Sequence, residues 1–206
     1  MEIRLGFFNS VMGLNFYKQN NLLSKAPLSM WVKDAQHKFQ CISPYLKKSD
    51  RILEIGTGLG TVSKTLIDHG FSFEGVDIAD YSIYEEVKPT VYDGKKLPFK
   101  KNEFDSTLIL TVLHHTKNPI QIISEAARVS KKVIIIEDIY SNKLQKYLTF
   151  FTDSLTNFEF KGHPHTNKTD AEWKLVFKKL DLKLINDFSY RYFLLYRQVV
   201  YMLERK

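Results

Sequence analysis

The chain has 206 residues, of which 44% are hydrophobic, and a formal net charge of +7. This length and apolar fraction are those of a globular protein with one domain and a buried core. The single cysteine, Cys41, excludes a disulfide framework and a zinc cluster of cysteines, and it fits the cytoplasmic location that we expect. We find no signal peptide and no apolar run long enough to cross a bilayer.

The basic residues are mostly scattered pairs of lysines, such as Lys47-Lys48 and Lys131-Lys132. Nucleic-acid binding would be indicated by an arginine-rich stripe interleaved with aromatic residues, and none is seen. The pattern therefore favours a solvated, lysine-rich surface over a nucleic-acid partner. Attraction to an anionic substrate or to a membrane surface is an alternative that nothing else in the sequence supports, and the oligomeric state stays open.

Residues 1–45 precede the first predicted strand. The segment to about Asn20 is too apolar for a free tail and is compatible with a lid, a dimer contact or a membrane-surface helix. The apolar residues that follow recur at helical spacing and predict a helix that packs on a sheet; they are Trp31, Ala35, Phe39 and Ile42.

Strands and helices alternate after residue 50. The predicted strands are 51–55, 72–76, 90–92, 105–110 and 132–137. The predicted helices between them are 59–69, 81–87 and 119–129, the last with Asn118 as its N-cap and Pro119 at its first position. This alternation predicts a parallel sheet with right-handed crossovers.

The last third departs from that order. We predict a helix over 142–156 and then a segment, 158–168, that contains His163 and His165. Thr169 and Glu172 have the spacing of a capping box and open a helix to residue 180. Two strands, 182–190 and 198–203, complete the chain.

The glycine-rich turn after the first strand indicates which kind of ligand the chain binds. It reads Glu54-Ile55-Gly56-Thr57-Gly58-Leu59-Gly60, and the next strand ends in Asp77. A dinucleotide site would have a glycine where Thr61 stands, so a nicotinamide dehydrogenase is a weaker alternative. Glu54, Asp77 and Asp93 would repel a pyrophosphate but attract a ligand that carries a sulfonium and an ammonium, such as S-adenosylmethionine.

These segments resemble the class I, Rossmann-like S-adenosylmethionine-dependent methyltransferases, particularly their small stand-alone members. The resemblance covers roughly residues 28–140 and rests on 54–60, Val76-Asp77, Tyr92-Asp93-Gly94, Leu97-Pro98-Phe99 with Phe104-Asp105, and Leu113-His114-His115. It implies a doubly wound, mostly parallel seven-stranded sheet with helices on both faces and an antiparallel strand in a C-terminal hairpin. It also implies one domain over 1–206, with N-terminal helices over 1–45, for which we favour a lid, and a substrate-side insertion over 141–168.

The resemblance places an S-adenosylmethionine site at the carboxyl ends of the strands. The residues it implies there are Glu54, Gly56, Thr57, Gly58, Gly60, Asp77, Ile78, Asp93, Gly94, Leu110, Thr111 and Val112. Glu54 would face the cofactor's ammonium, Asp77 would accept hydrogen bonds from both ribose hydroxyls, and Asp93 would accept one from the adenine amine. Ile78 would pack on the adenine.

Methyl transfer from a sulfonium needs alignment of the reactants rather than a metal, and we expect none. A base is needed only for an acceptor that is protonated near neutral pH, and the candidates are His114, His115, His163 and His165. The alternative interpretation is that they are ordinary loop histidines.

The stretch 111–115 lacks the Asn/Asp-Pro-Pro-aromatic motif of the resembled enzymes that methylate planar nitrogens. We therefore expect an oxygen, sulfur or carbon nucleophile on a small-molecule or lipid-like acceptor. The alternatives are an RNA or protein methyltransferase and a non-catalytic S-adenosylmethionine-binding protein.

Overall fold

The structure is a computed structural model that describes residues 25–140, 166–192 and 196–206. Three predictions lie outside these residues: the apolar N-terminal segment, the helix over 142–156, and the positions of His163 and His165. Within the described part of the chain, no helix combines the length and apolar character needed to cross a membrane.

Seven strands form one sheet. In chain order they are β1 (Ile52–Ile55), β2 (Phe73–Asp77), β3 (Thr90–Val91), β4 (Phe104–Leu110), β5 (Ser130–Ile139), β6 (Leu182–Tyr192) and β7 (Tyr196–Arg205). Their order across the sheet is β3-β2-β1-β4-β5-β7-β6, and all neighbours are parallel except that β7 is antiparallel to both β5 and β6. The predicted doubly wound sheet with an antiparallel strand in its C-terminal hairpin is confirmed.

Helices cover both faces of this sheet. They are α1 (Lys25–Ile42), α2 (Thr61–Asp68), α3 (Pro119–Val129) and α4 (Asp170–Lys179), with single 3₁₀ turns at Ser43–Tyr45 and Leu113–His115. Successive strand residues point to opposite faces, so Leu108 joins the apolar cluster of α1 and α2 whereas Ile109 joins that of α3 and α4. Both clusters are closed by fully buried side chains of β5 and β7.

The predicted helix starts at α3 and α4 are confirmed. The Asn118 side chain accepts a hydrogen bond from the Gln121 N–H, with Pro119 as the first residue of α3. Thr169 and Glu172 form a reciprocal capping box at the start of α4. Each cap satisfies backbone donors that have no partner within the first helical turn, which is why these short signals fix the boundaries.

The short helix predicted over 81–87 is wrong, because that segment is a series of bends and turns. The Ser82 hydroxyl donates to the Tyr84 carbonyl and accepts from the Tyr84 N–H, and the Ile83 N–H donates to the Leu59 carbonyl. These bonds engage backbone groups that a helix would need and hold the segment against the glycine turn instead.

Candidate cofactor site at the carboxyl edge of the sheet

The carboxyl ends of β1, β2, β4 and β5 meet at one edge of the sheet because these strands run in the same direction. The glycine turn follows β1, Asp77 ends β2, the loop 111–115 follows β4, and Glu137 lies near the end of β5. Ligands of open parallel sheets bind at this edge, where the strand order changes direction. Most of the described site residues lie here.

The three glycines of the turn have different surroundings. Gly56, Gly58 and Gly60 adopt φ values of 76°, 52° and 78°, which side chains rarely tolerate. A Cβ on Gly56 would lie 2.6 Å from the Val112 side chain, and one on Gly60 would lie 2.8 Å from the Ser82 hydroxyl. Among the residues that the structure describes, none would lie within 4 Å of a Cβ on Gly58. The missing side chains of Gly56 and Gly60 thus leave room for neighbouring residues of the chain. Gly58 instead faces open space in which a ligand could lie.

Asp77 joins the end of β2 to the glycine turn. Its Oδ2 accepts a hydrogen bond from the Gly58 N–H at 2.8 Å, and its Oδ1 accepts one from the Ile78 N–H at 2.6 Å. Burial raises the pKa of this carboxyl, and the backbone donors partly oppose the rise. A carboxylate has about four acceptor positions, so the two bonds leave it capacity for ligand hydroxyls.

Glu54 is buried beneath the same turn. Its Oε2 accepts a hydrogen bond from the Ser63 hydroxyl at 2.6 Å. Burial raises the pKa of Glu54 to about 7; the Ser63 bond opposes this rise, the charge of Asp77 adds to it, and the ammonium of Lys38 opposes it. A cation bound nearby would favour the ionised form of this carboxyl.

Lys38 connects α1 to this edge of the sheet. Its buried ammonium donates to the Thr111 hydroxyl at 2.8 Å and pairs with Asp34 at 2.7 Å. Thr111 has a φ of 58°, which is strained for a β-branched residue. Its N–H donates to the Ile136 carbonyl at 2.7 Å. The strained residue is therefore held from α1 and from β5.

Glu137 binds the loop that follows Thr111. Its Oε1 accepts hydrogen bonds from the N–H groups of Val112 at 3.0 Å and Leu113 at 2.6 Å, and its Oε2 lies 2.6 Å from Nδ1 of His114. Glu137 and His114 are buried, and the His115 ring lies 4.1 Å from the His114 ring. Sequence reasoning missed Glu137, although a carboxylate near the end of an otherwise apolar strand was an available signal.

The region expected to hold adenine is more open. Ile78 is 57% exposed, and a Cβ on Gly94 would lie 3.2 Å from its side chain, so these two residues are neighbours. Asp93 is exposed, and its Oδ1 accepts hydrogen bonds from the N–H groups of Lys95 and Lys96, which lower the pKa of this carboxyl. Asp93 thus closes its own turn beside Ile78.

The remaining expected residues are partly in the core. Leu110 is buried in the apolar cluster of α1 and α2. Thr57 is also buried, and its hydroxyl has no hydrogen-bond partner among the described residues. Lys38 and Ser63 were not foreseen, and neither has a sequence signal that separates it from an ordinary helix residue. The ligand-binding and catalytic roles expected of all these residues stay predictions.

The segment 141–165 lies outside the described residues, and Thr166, the first described residue after it, contacts the loop 111–115. The Thr166 hydroxyl donates to the Leu113 carbonyl at 2.9 Å. The Thr166 N–H donates to the His114 carbonyl at 3.3 Å.

Comparison with known sequences finds matches to part of the chain. Residues 53–135 match the family model described as a methyltransferase domain. An uncharacterized protein from Methanocaldococcus jannaschii is 38% identical over an alignment 112 residues long, and the match covers 47% of this chain and 52% of that protein. The chain thus spans about half the length of this curated relative.

Solved structures show the same fold. Magnesium protoporphyrin IX methyltransferase from Synechocystis PCC 6803, solved with bound SAH, has a TM-score of 0.69 at 16% identity, covering 99% of each chain. A SAM-dependent methyltransferase from Methanosarcina mazei has a TM-score of 0.62 at 18% identity, covering 80% of this chain and 96% of that one. The predicted resemblance is confirmed: residues 53–135 match the methyltransferase-domain family, and the chain shares its Rossmann-like fold with solved S-adenosylmethionine-dependent methyltransferases.

Proposed function

We propose that this chain binds S-adenosylmethionine at the carboxyl edge and transfers its methyl group to a small-molecule or lipid-like acceptor. The observation that carries the proposal is an acidic, sterically open glycine turn. Gly58 faces open space, Glu54 lies buried beneath the turn, and Asp77 is bonded to its backbone. A ligand that presents cationic groups and hydroxyls fits this combination, because carboxylates attract the former and accept hydrogen bonds from the latter.

The fit differs from that of a dinucleotide. A nearby cation would stabilise the ionised form of the Glu54 carboxyl, whose pKa is raised to about 7 with burial as the largest cause. A pyrophosphate beside Glu54 and Asp77 would meet like charges instead. Glu54 is therefore proposed to face the cofactor's ammonium and Asp77 its ribose, with Ile78 and Gly94 on the adenine side.

When bound, S-adenosylmethionine supplies a methyl group on a sulfonium sulfur, which is a good leaving group. The chain's own residues then have to orient the acceptor and exclude water from it, which can contribute several kcal/mol. For an acceptor that carries a proton, we propose His114 or His115 as the nearby base, because both lie on the loop after β4. His163 and His165 remain predicted acceptor contacts.

Two observations support a small or lipid-like acceptor. The loop 111–115 contains no asparagine or proline that could make the nitrogen-binding motif. The predicted substrate-side insertion contains several aromatic residues, and Thr166, which follows the segment 141–165 in the chain, bonds to the Leu113 carbonyl at this edge. RNA or protein acceptors and a non-catalytic binding role are the competing proposals.

The test is transfer of a radiolabelled methyl group from S-adenosylmethionine into a host-cell extract, followed by separation into protein, nucleic acid, lipid and small molecules. Label in the lipid or small-molecule fraction supports the proposal. Label in RNA that falls steeply with salt would favour a nucleic-acid acceptor. Tight cofactor binding without any labelled product would favour the non-catalytic role.

Two variants connect this activity to the site. Asp77→Ala should weaken binding of S-adenosylhomocysteine at least about tenfold, as expected from loss of hydrogen bonds to a charged group. Asp105→Ala is the matched control, because Asp105 bonds the Arg51 N–H at the opposite edge of the sheet. Equal dissociation constants for Asp77→Ala and the parent protein would remove Asp77 from the proposed cofactor site.

A further inference from the structure

We propose that Glu137 is a positioning residue of this site, which fixes both the backbone of the loop 111–115 and the ring nitrogen of His114 that carries a proton. The proposal rests on the proposed function in one respect, because the loop that Glu137 holds borders the proposed methyl-transfer site. The contacts that support it are all between residues of this chain.

Three donors of one loop converge on the Glu137 carboxylate. Oε1 accepts the successive N–H groups of Val112 and Leu113 at 3.0 and 2.6 Å, and Oε2 lies 2.6 Å from His114 Nδ1. Glu137 is fully buried on β5, which is paired on both sides. A buried carboxylate is costly unless several donors compensate it, and charge-assisted bonds of this kind are the strong ones.

The loop needs such an anchor. Thr111 begins it with a φ of 58°, and strained conformations persist only where the surroundings over-determine them. Lys38 and Ile136 hold Thr111 itself, through its hydroxyl and its N–H. Glu137 then accepts hydrogen bonds from the next two backbone N–H groups. Removing its carboxylate would leave those donors without their acceptor in a buried place.

The same carboxylate decides the tautomer of His114. An ionised carboxylate can only accept hydrogen bonds, so Nδ1 must carry the proton that Oε2 receives. In a neutral ring, Nε2 is then the accepting nitrogen. The His115 ring packs against this ring with the centroids 4.1 Å apart and the planes tilted by 41°, so the orientation imposed on His114 also constrains His115. In this way a residue of β5 sets how both candidate bases are presented.

The decisive measurement is ¹⁵N NMR of the protein labelled in its histidine rings. The chain has six histidines, and the His114 signals are assigned from their loss in His114→Asn. The asparagine amide can replace Nδ1–H as the donor to Glu137, so this variant should keep its fold. We expect a proton on His114 Nδ1 in the parent protein. An unprotonated Nδ1 would overturn the proposal without any need for a Glu137 variant.

Glu137→Gln gives the second arm. Two backbone N–H groups face Oε1, so the glutamine oxygen should stay there and its NH₂ group should face His114. That donor should move the ring proton from Nδ1 to Nε2. We expect methyl transfer into the extract to fall about 10–100-fold, the usual effect of losing a residue that orients a functional group. Binding of S-adenosylhomocysteine should change less than about threefold, because Glu137 is not a proposed cofactor contact.

Glu125→Gln is the matched control, since this carboxylate on α3 bonds the Leu97 N–H and Arg128 away from the loop. It should leave the His114 signals unchanged. Unaltered ring signals and unaltered methyl transfer in Glu137→Gln would overturn the proposal. The NMR readout needs no turnover, so a parent protein that transfers no methyl group would count against the proposed function alone.

Discussion

Gly56 and Gly58 share a left-handed backbone, yet they differ in what a side chain would meet. At Gly56 a Cβ would meet Val112, from the loop after β4, whereas at Gly58 no atom of the described residues would lie within 4 Å of it. Gly56 therefore allows two loops of the site to come into contact. Gly58 leaves the backbone exposed to a ligand. A motif that looks uniform in sequence thus divides into a packing position and a binding position.

Gly56→Ala should lower the free energy of unfolding by about 2–4 kcal/mol, which combines left-handed backbone strain with overpacking. Gly58→Ala should cost only the strain, about 1–2 kcal/mol, but should weaken binding of S-adenosylhomocysteine. Urea denaturation and calorimetric titration measure the two effects.

Val112→Ala provides the control for Gly56. It opens the space that the Gly56→Ala methyl group would enter, so the double variant should be more stable than the sum of the single effects by about 0.5–3 kcal/mol. Strict additivity would contradict the contact between Gly56 and Val112 as the source of the loss.

Glu54 predicts how cofactor affinity depends on pH. Its pKa is raised to about 7 by burial, so the carboxyl is largely protonated at pH 6 and largely ionised at pH 8. A cationic cofactor binds the ionised form better, and its affinity should therefore rise with pH, by about tenfold between these values. Equilibrium dialysis with S-adenosylmethionine measures this rise.

Two variants test whether Glu54 is the group responsible for this dependence. Glu54→Gln should remove the rise with pH. Ser63→Ala should shift its midpoint upward, because the Ser63 hydrogen bond lowers the pKa of Glu54. A dependence that persists unchanged in Glu54→Gln would show that another group is responsible.

Among the elements, those with local signals were predictable. The caps of α3 and α4 involve residues three positions apart, and apolar runs identified β4 and β5. The contacts that hold the site were not predictable, because they join distant residues: His114 meets Glu137 across 23 positions, and Lys38 meets Thr111 across 73. The segment 81–87 is not helical because Ser82 bonds locally to Tyr84 and Ile83 bonds to Leu59 of the glycine turn, and helical propensity does not take such bonds into account.

Lys38 shows how one helix depends on a buried pair. Lys38→Met leaves Asp34 with its negative charge and without its cation, and we expect a loss of about 3 kcal/mol in the free energy of unfolding. Lys38→Met combined with Asp34→Leu should recover most of that loss, because the carboxylate that lost its cation is then also removed. Chemical denaturation of the parent and the three variants measures both effects. A double variant as unstable as Lys38→Met would mean that the bond to Thr111 matters more than the pair.

At the scale of the whole molecule, the sheet is protected unevenly. β1, β4, β5 and β7 are interior strands between two apolar clusters, whereas β3 and β6 are the two outermost strands of the sheet. Both residues of β3 are exposed. Amides of β4 and β5 should therefore exchange with solvent only on global unfolding, and those of β3 through smaller openings.

Hydrogen exchange with S-adenosylhomocysteine tests where the cofactor lies in this framework. When the ligand is bound, peptides that contain 56–60, 77–79 and 111–113 should exchange more slowly, because all three segments lie at the carboxyl edge. The loop 100–103 lies at the opposite edge, and its local opening should be unaffected. An open groove of about 430 Å³, lined by residues such as Lys95, Gln121 and Leu180, is the competing location. Slower exchange confined to 119–125 would place the ligand in that groove, and it would separate binding from the acidic glycine turn on which the proposed chemistry depends.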